Sequence, residues 1–561
     1  MSDLIDRQTI DFLLFDVFGV GDLCGHGRYD EHDQTSLTAA LDLAQKLAEE
    51  TLWPHAALSD TQEPELSDGN VRILPQAKEA LGALAIAGFF SAHADFDAGG
   101  MQLPVTINHA CNGMMKAANV STHAYMSLTR AAGNLLKAHG TEAQKRLFLR
   151  PMLEGRFFGT MCLSEPDAGS SLADIRTRAT SCDDGTYAIS GSKMWISGGD
   201  HDAAENIVHL VLARLPDAPT GVRGISLFAV PKFLVNDDGS LGGRNGITVA
   251  GLNHKMGYRG TSNCLLAFGD PVPAIGTMVG RENEGLKAMF HMMNEARISV
   301  GIGGAMLASA GYRFSLNYAK DRRQGRTLSQ NDPDSRPVAL IRHPDVRRML
   351  LRQKAFSEGG MALCLYAGML VDRRNLTMDG EERARLDALL DLVTPVVKAW
   401  PSEFGLEANH EAIQVLGGYG YSREFPVERL YRDNRLNMIH EGTNGIQALD
   451  LLGRKVMKKN SAGVDLLLDE IQETLTAAQT TPELHENCDA LKRLLASLTH
   501  TIDLIASRVE AEGNDRGLAH ASLFLKAFGH VVVGWLWLRV ALAAIEAAAR
   551  TAARSSFTDG K

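Results

Sequence analysis

The spacing of apolar residues changes twice along this chain of 561 residues, and those two changes limit what it can fold into. From residue 1 to about 158, apolar residues recur at helical spacing in Ala-rich segments such as 36–52 and 74–88. Polar or glycine-rich breaks such as 95–102 divide them. Phe12, Leu13, Leu14 and Phe15, with Val17 and Phe18, form an apolar opening segment expected to pack as a helix on the body. From about 158 to 279 short runs of β-forming residues take over, as in 207–212, 224–230 and 264–268. Asp183-Asp184-Gly185 and Asp237-Asp238-Gly239 read as hairpin turns between such runs. After Gly285 the 3.6-residue period returns, with Leu286, Met289, Phe290, Met293, Arg297 and Val300 on one stripe. An arginine on such a stripe needs an anion or an acceptor: a structural ion pair or a ligand.

The expectation is an α+β chain, mostly α. It divides into an N-terminal helical domain (1–158), a middle β-domain (159–279), a helical bundle (280–458) and a C-terminal helical extension (459–561). In the extension Val464, Leu467, Leu468, Ile471 and Leu475 share a helical face, and a long apolar pattern covers 518–553. No repeat of 20 to 50 residues is evident.

Composition excludes several function classes. The net charge is −10, and residues 461–561 carry 13 acids against 9 bases, so the extension is no basic, nucleic-acid-seeking module. Seven scattered cysteines without a Cys-x-x-Cys pair argue for a reducing compartment and no structural metal. Two acids precede the first apolar run, unlike a signal peptide. The apolar run 531–545 is shorter than the roughly 20 residues of a membrane span and holds Arg539, so a buried helix and no membrane span are expected. A cytoplasmic protein is the resulting expectation. Residues 301–306, Gly-Ile-Gly-Gly-Ala-Met, fail the dinucleotide fingerprint at the last position and lie within a helical pattern; there is no P-loop.

Four stretches carry residues suited to chemistry. In Arg432 to Gln447 a polar run is followed by Glu441, Gly442 and Thr443 just before a helical pattern resumes. A carboxylate held on such a junction suits a general base, although most carboxylates at a helix start are only solvent-facing. Met161-Cys162-Leu163-Ser164-Glu165-Pro166-Asp167-Ala168-Gly169-Ser170-Ser171 is a strand running into a turn that exposes amides and hydroxyls, or an ordinary β-turn. Gly191 to Gly199 contains Trp195, Ile196 and Ser197; a core tryptophan is the plainer reading. Arg322, in Tyr318 to Arg326, and the glycine turn Gln414-Val415-Leu416-Gly417-Gly418 suit a phosphate, since an arginine fork matches it and glycines allow close approach.

Together these stretches resemble the acyl-CoA dehydrogenase family over roughly residues 12–454. Region 461–561, with Phe528-Gly529-His530-Val531-Val532-Val533-Gly534-Trp535, further resembles the long subgroup that includes 3-methylmercaptopropionyl-CoA dehydrogenases. The resemblance implies FAD, held by Met161, Leu163, Ser164, Gly169, Ser170, Trp195, Ile196, Ser197, Arg322, Gln414, Gly417, Gly418 and Thr443. Arg322 is implied to reach the flavin of a dimer partner. It implies an acyl-CoA substrate at Ser170, Asn294, Arg297 and Gly442, with Glu441 as the base that takes the α proton. A hydride then passes from the β carbon to the flavin, giving a trans-2-enoyl-CoA. Some members place the glutamate directly before the arginine matching Arg297; here that residue is Ala296, and Glu295 points about 160° away around the helix. His440 for tyrosine, Asn294 for aspartate and Gly445 for glutamine depart from the usual pattern; His440 reads as a satisfied filler or a modulator of the base. Electrons are expected to go to an electron-transferring flavoprotein, and the extension is expected to leave a homodimer. An oxidase using oxygen, or a DNA-binding stress-response flavoprotein of the same fold, are the alternatives.

Overall fold

A computed structural model describes residues 4–329, 334–458 and 462–559, with the side chains of 290–294 and 551–559 left outside the description. The chain forms two compact units: Leu43–Gln102 with Ala118–Ala296, and Met1–Asp42 with Leu103–Ala117 and Arg297–Lys561.

The first unit holds the β-structure. Its strands are β1 (Glu65–Ser67), β2 (Asn70–Arg72), β3 (Phe157–Cys162), β4 (Arg178–Ser181), β5 (Tyr187–Ser197) and β6 (Asn206–Ala213). They continue with β7 (Ser226–Pro231), β8 (Phe233–Val235), β9 (Leu241–Arg244), β10 (Ile247–Leu252), β11 (Asn263–Phe268) and β12 (Ala274–Val279). Eight strands make one sheet in the order β10-β11-β5-β12-β7-β6-β3, with β4 also paired to β5. Among the described strand pairs only β3 and β6 run parallel. Every residue of β6 and β7 is buried, which explains why their sequences are mostly apolar without alternation: both faces are covered, and His209 in β6 is buried with its Nδ1 2.7 Å from the Thr160 hydroxyl. Both expected hairpins form. Asp184 accepts from the Thr186 amide at 2.9 Å between β4 and β5, and Asp238 does the same for Ser240 between β8 and β9.

The second unit is helical. Of the longer helices, α1 (Val105–His139) and α2 (Gly285–Asp321) each run across the division between units. Within α1, Asn119 leaves helical geometry (φ −156°, ψ 87°), and its side-chain oxygen accepts from the Thr122 amide at 3.1 Å, capping the next segment. The bundle adds α3 (Pro344–Leu376) and α4 (Gly380–Leu416), joined by a turn in which Asp379 caps α4. Buried Asp372 of α3 accepts from the Val105 and Thr106 amides at 2.7 and 2.9 Å, the Thr106 hydroxyl at 2.6 Å and the Tyr29 hydroxyl at 2.5 Å. One carboxylate from a distant helix thus supplies the N-cap of α1.

Beyond α5 (Val427–Arg435) and α6 (Asn444–Leu449), the extension forms α7 (Ala462–Ala478), α8 (His485–Glu512) and α9 (Ala521–Asp559). Helix α9 seats on the bundle through glycines. A methyl added at Gly529 would lie 2.4 Å from Trp400, and one at Gly359 of α3 would lie 2.6 Å from Val533. Buried Trp535 donates to Thr474 at 2.7 Å. The apolar run here is longer than its uninterrupted core: Ala521–Arg550 is long and apolar enough to cross a membrane by length and composition. The expected buried helix is also only half correct, because 33% of its most apolar 18-residue stretch is buried. All seven cysteines are free, and among the described residues no His, Cys, Asp or Glu cluster could hold a metal.

Candidate active site

Glu441 stands on a strained loop between a short 3-10 turn, Leu436–Met438, and α6. Its φ is +55° and that of Gly442 is +85°, so a residue with a Cβ occupies left-handed backbone where glycine is usual. Buried Gln447 of α6 enforces this geometry, donating from Nε2 to the carbonyls of Glu441 at 3.0 Å and Gly442 at 3.4 Å. Thr443 is the N-cap of α6, its hydroxyl 3.4 Å from the Ile446 amide. Strain held in this way marks a side chain fixed in direction.

The Glu441 carboxylate is half-buried and makes no hydrogen bond within the described protein. The amides of Glu441 and Gly442 likewise meet no acceptor there. Burial pushes the carboxyl above its ordinary value, and the charges of Lys398 and Arg297 oppose that rise. His440 is the satisfied group that sequence reading favoured: its Nε2 pairs with Asn437 at 3.1 Å. Burial, with Lys398 and Lys116 nearby, lowers its pKa to about 3, so it is neutral.

Arg297 finds its acceptor inside the protein. It is 6% exposed and donates to Asp450 at 3.1 Å, while its Nε has no partner among the described residues. This is the ion-pair reading of a buried arginine. Asn294, expected beside it, lies outside the residues whose side chains are described. Glu295 belongs to a separate network in the first unit, where Asn134 donates to it and Arg130 and His93 lie within 4.0 Å.

In the first unit, Met161 lies in β3, and Leu163 and Ser164 follow it half-buried; Gly169 and Ser170 are exposed in the turn beyond. Glu165 fastens that turn. It accepts from the amides of Arg176 and Thr177 at 2.7 and 3.0 Å, the Thr177 hydroxyl at 2.6 Å and Lys193 Nζ at 2.9 Å. Lys193 also donates to the Leu163 carbonyl at 2.9 Å, and Met194 N–H to that of Ser164 at 3.0 Å. The two expected flavin segments are thereby tied together. Trp195 sits at a β-bulge with φ +64° and is 59% exposed, Ile196 is buried, and Ser197 accepts from Asn263 at 3.0 Å with its own proton uncommitted. Trp195 is therefore not the core tryptophan that was the alternative to a flavin-facing one.

In the second unit Gln414 is exposed on the last turn of α4, which ends at Gly417 with φ +61°. A Cβ at Gly417 or Gly418 would meet nothing within 4 Å. Arg322 stacks 5.8 Å from the Tyr419 ring centre, and its guanidinium has no acceptor within the described chain. An open glycine turn beside an uncommitted arginine fits a phosphate-bearing group, and an exposed flat tryptophan two residues from a hydroxyl that can still donate fits a planar heterocycle. Sequence reading missed the Glu165–Lys193 pair and the roles of Gln447 and Lys398. For Lys398 a signal existed, a lone charge within the apolar run 393–400.

Family models for the acyl-CoA dehydrogenase N-terminal, middle and C-terminal domains match residues 35–156, 160–270 and 283–457, and an acetyl-CoA dehydrogenase C-terminal-like model matches 467–561. The chain is 38% identical to 3-methylmercaptopropionyl-CoA dehydrogenase of Ruegeria pomeroyi, over 92% of this chain and 87% of that one. It is 34% identical to a broad-specificity linear acyl-CoA dehydrogenase of Mycobacterium tuberculosis, over 98% and 92%. An acyl-CoA dehydrogenase of Bacillus anthracis solved with FAD superposes with a TM-score of 0.73 at 20% identity, covering 92% and 83%. The chain belongs to the acyl-CoA dehydrogenase family. It is accordingly an oxidoreductase acting on CH–CH donors, with FAD as cofactor.

Proposed function

We propose that the chain converts an acyl-CoA to a trans-2-enoyl-CoA, with Glu441 as the base for the α proton. The observation that carries this reading is the Glu441 carboxylate itself, fixed by a strained backbone yet left without a hydrogen bond. A base must be placed in direction and free to accept a proton, and this side chain is both. FAD, when bound, supplies the hydride acceptor that no side chain can provide.

The remaining work falls to the chain. The uncommitted amides of Glu441 and Gly442 suit the thioester oxygen, where charge builds as the α proton leaves; one such donor is worth about 3–4 kcal/mol. Met161, Leu163, Ser164, Gly169, Ser170, Trp195, Ile196, Ser197 and Thr443 are the proposed contacts for the isoalloxazine and ribityl end. Arg322, Gln414, Gly417 and Gly418 are those for the dinucleotide phosphates. Gly442 and Ser170, with Asn294 and Arg297, remain the proposed coenzyme A side. The names of the two relatives favour a linear acyl chain, thioether-bearing chains included. Electron transfer to an electron-transferring flavoprotein, a homodimer and a cytoplasmic location complete the proposal.

The test is anaerobic titration of the purified protein with straight, branched and thioether acyl-CoAs, following loss of oxidised-flavin absorbance. Bleaching with enoyl-CoA as product, lost in Glu441→Gln that still holds FAD, is the expected result. Bleaching that survives the substitution overturns Glu441 as base. Rapid reoxidation by air with hydrogen peroxide release would make the protein an oxidase.

A further inference from the structure

Lys398 lies in the middle of α4 with no solvent exposure at all, between Pro395 and Pro401. Among the described residues its ammonium has one hydrogen-bond acceptor, the side-chain oxygen of Asn444 at 3.1 Å. An ammonium carries three donors, and a buried one normally finds several acceptors. Two charges act on it, the opposite one of Glu441 and the like one of Arg297. Asn444 is three residues after Glu441 and opens α6; its amide also donates back to the Ala399 carbonyl at 3.3 Å. One turn of α4 thus grips the far end of the strained loop, while Gln447 holds the near end.

We propose that Lys398 is a positioning residue for the base: it anchors the Glu441 loop through Asn444, and its ammonium keeps the Glu441 carboxylate ionised. The inference rests on Glu441 as the base. The other charged groups set around this carboxylate and lysine are Arg297 on α2, already engaged with Asp450, and Lys116 on α1, which donates to the Ser299 hydroxyl at 2.6 Å; His440 between them is neutral. Of the two cations that act on Glu441, Arg297 is paired with Asp450, whereas Lys398 is bonded, among the described residues, to the neutral side chain of Asn444. Burial brings its pKa down to about 7, opposed by Glu441, so the lysine holds its charge through its proximity to the carboxylate. When Glu441 takes the substrate proton that support disappears, which disfavours the product state and helps the proton leave.

The measurement is the pH dependence of anaerobic flavin reduction by acyl-CoA in wild type, Lys398→Met, Asn444→Ala and Glu441→Gln, each checked for FAD content. Lys398→Met, which removes both charge and anchor, is expected to move the acid limb up by about one pH unit or more and to leave the plateau above it about tenfold below wild type, as in Asn444→Ala. Asn444→Ala, which keeps the cation, is expected to lower the rate about tenfold at every pH with the limb unmoved. A rate loss in Lys398→Met that is uniform with pH overturns the charge role. A wild-type rate in Asn444→Ala overturns the anchor, and does so even if Lys398→Met does not fold. Reduction that survives in Glu441→Gln removes the base reading itself, a result distinct from either.

Discussion

Glu165 and Lys193 form an ion pair of 2.9 Å inside the β-unit, with the lysine wholly out of solvent and the glutamate 7% exposed. Burial acts against both charges. Glu165 is nonetheless held below its ordinary range by Lys193, the Thr177 hydroxyl and the Arg176 amide, while burial draws the lysine below its own. The carboxylate is saturated with donors and the ammonium reaches the Leu163 carbonyl, so the pair ties strand β5 to the end of β3.

Removing one member leaves the other buried and uncompensated. Lys193→Met is expected to cost about 3–5 kcal/mol and to release FAD, read as a lower melting temperature and a colourless purified protein. Because the glutamate pKa is lowered in the folded state, its contribution is present above about pH 4.5 and is lost as pH falls through the lowered value. Acid titration of the melting temperature checks that sign.

Trp195 should behave in the opposite way. It is exposed and in left-handed backbone, so Trp195→Gly is expected to leave the melting temperature of the flavin-free protein within about 2 °C or raise it, since glycine suits that φ. FAD affinity should fall in the same variant. A large loss of apoprotein stability would mean the indole is a core side chain.

Glu441→Gln is expected to reduce the rate of flavin bleaching at least about a hundredfold with FAD retained. In wild type the carboxyl is raised by burial and works only when ionised, so the rate should fall with acid from a pH above the ordinary glutamate range. Stopped-flow reduction across pH checks both statements.

Gly529→Val inserts side-chain atoms against Trp400, where even a methyl would stand 2.4 Å away. The expected cost is at least about 1–3 kcal/mol from overpacking, seen in thermal melting. If the extension were only loosely seated on the bundle, the substitution would be silent.

Asp372→Ala removes the acceptor for two amides and two hydroxyls at the start of α1. Several buried donors lose their partner at about 1–3 kcal/mol each, so the variant is expected to express poorly or melt many degrees lower. Asp372→Asn keeps one carbonyl oxygen and should lose less.

The order of helices, strands and helices was legible in the sequence because the two periods of hydrophobicity are local: 207–212 and 224–230 read as β-forming runs and two Asp-Gly turns as hairpins, and both hairpins form. The sequence also located the residues that could carry chemistry, since turn residues and carboxylates in motif order are visible without coordinates. Tertiary structure decided how those residues are held. That Gln447 reaches back to the Glu441 carbonyl, that Lys398 meets Asn444 across 46 positions, that one arm of Arg297 pairs with Asp450 and that Trp195 is exposed all depend on backbone angles and long-range packing. Hydrophobic spacing reports which face of an element is buried; the direction in which a charged or aromatic side chain points is set by the neighbour it meets there.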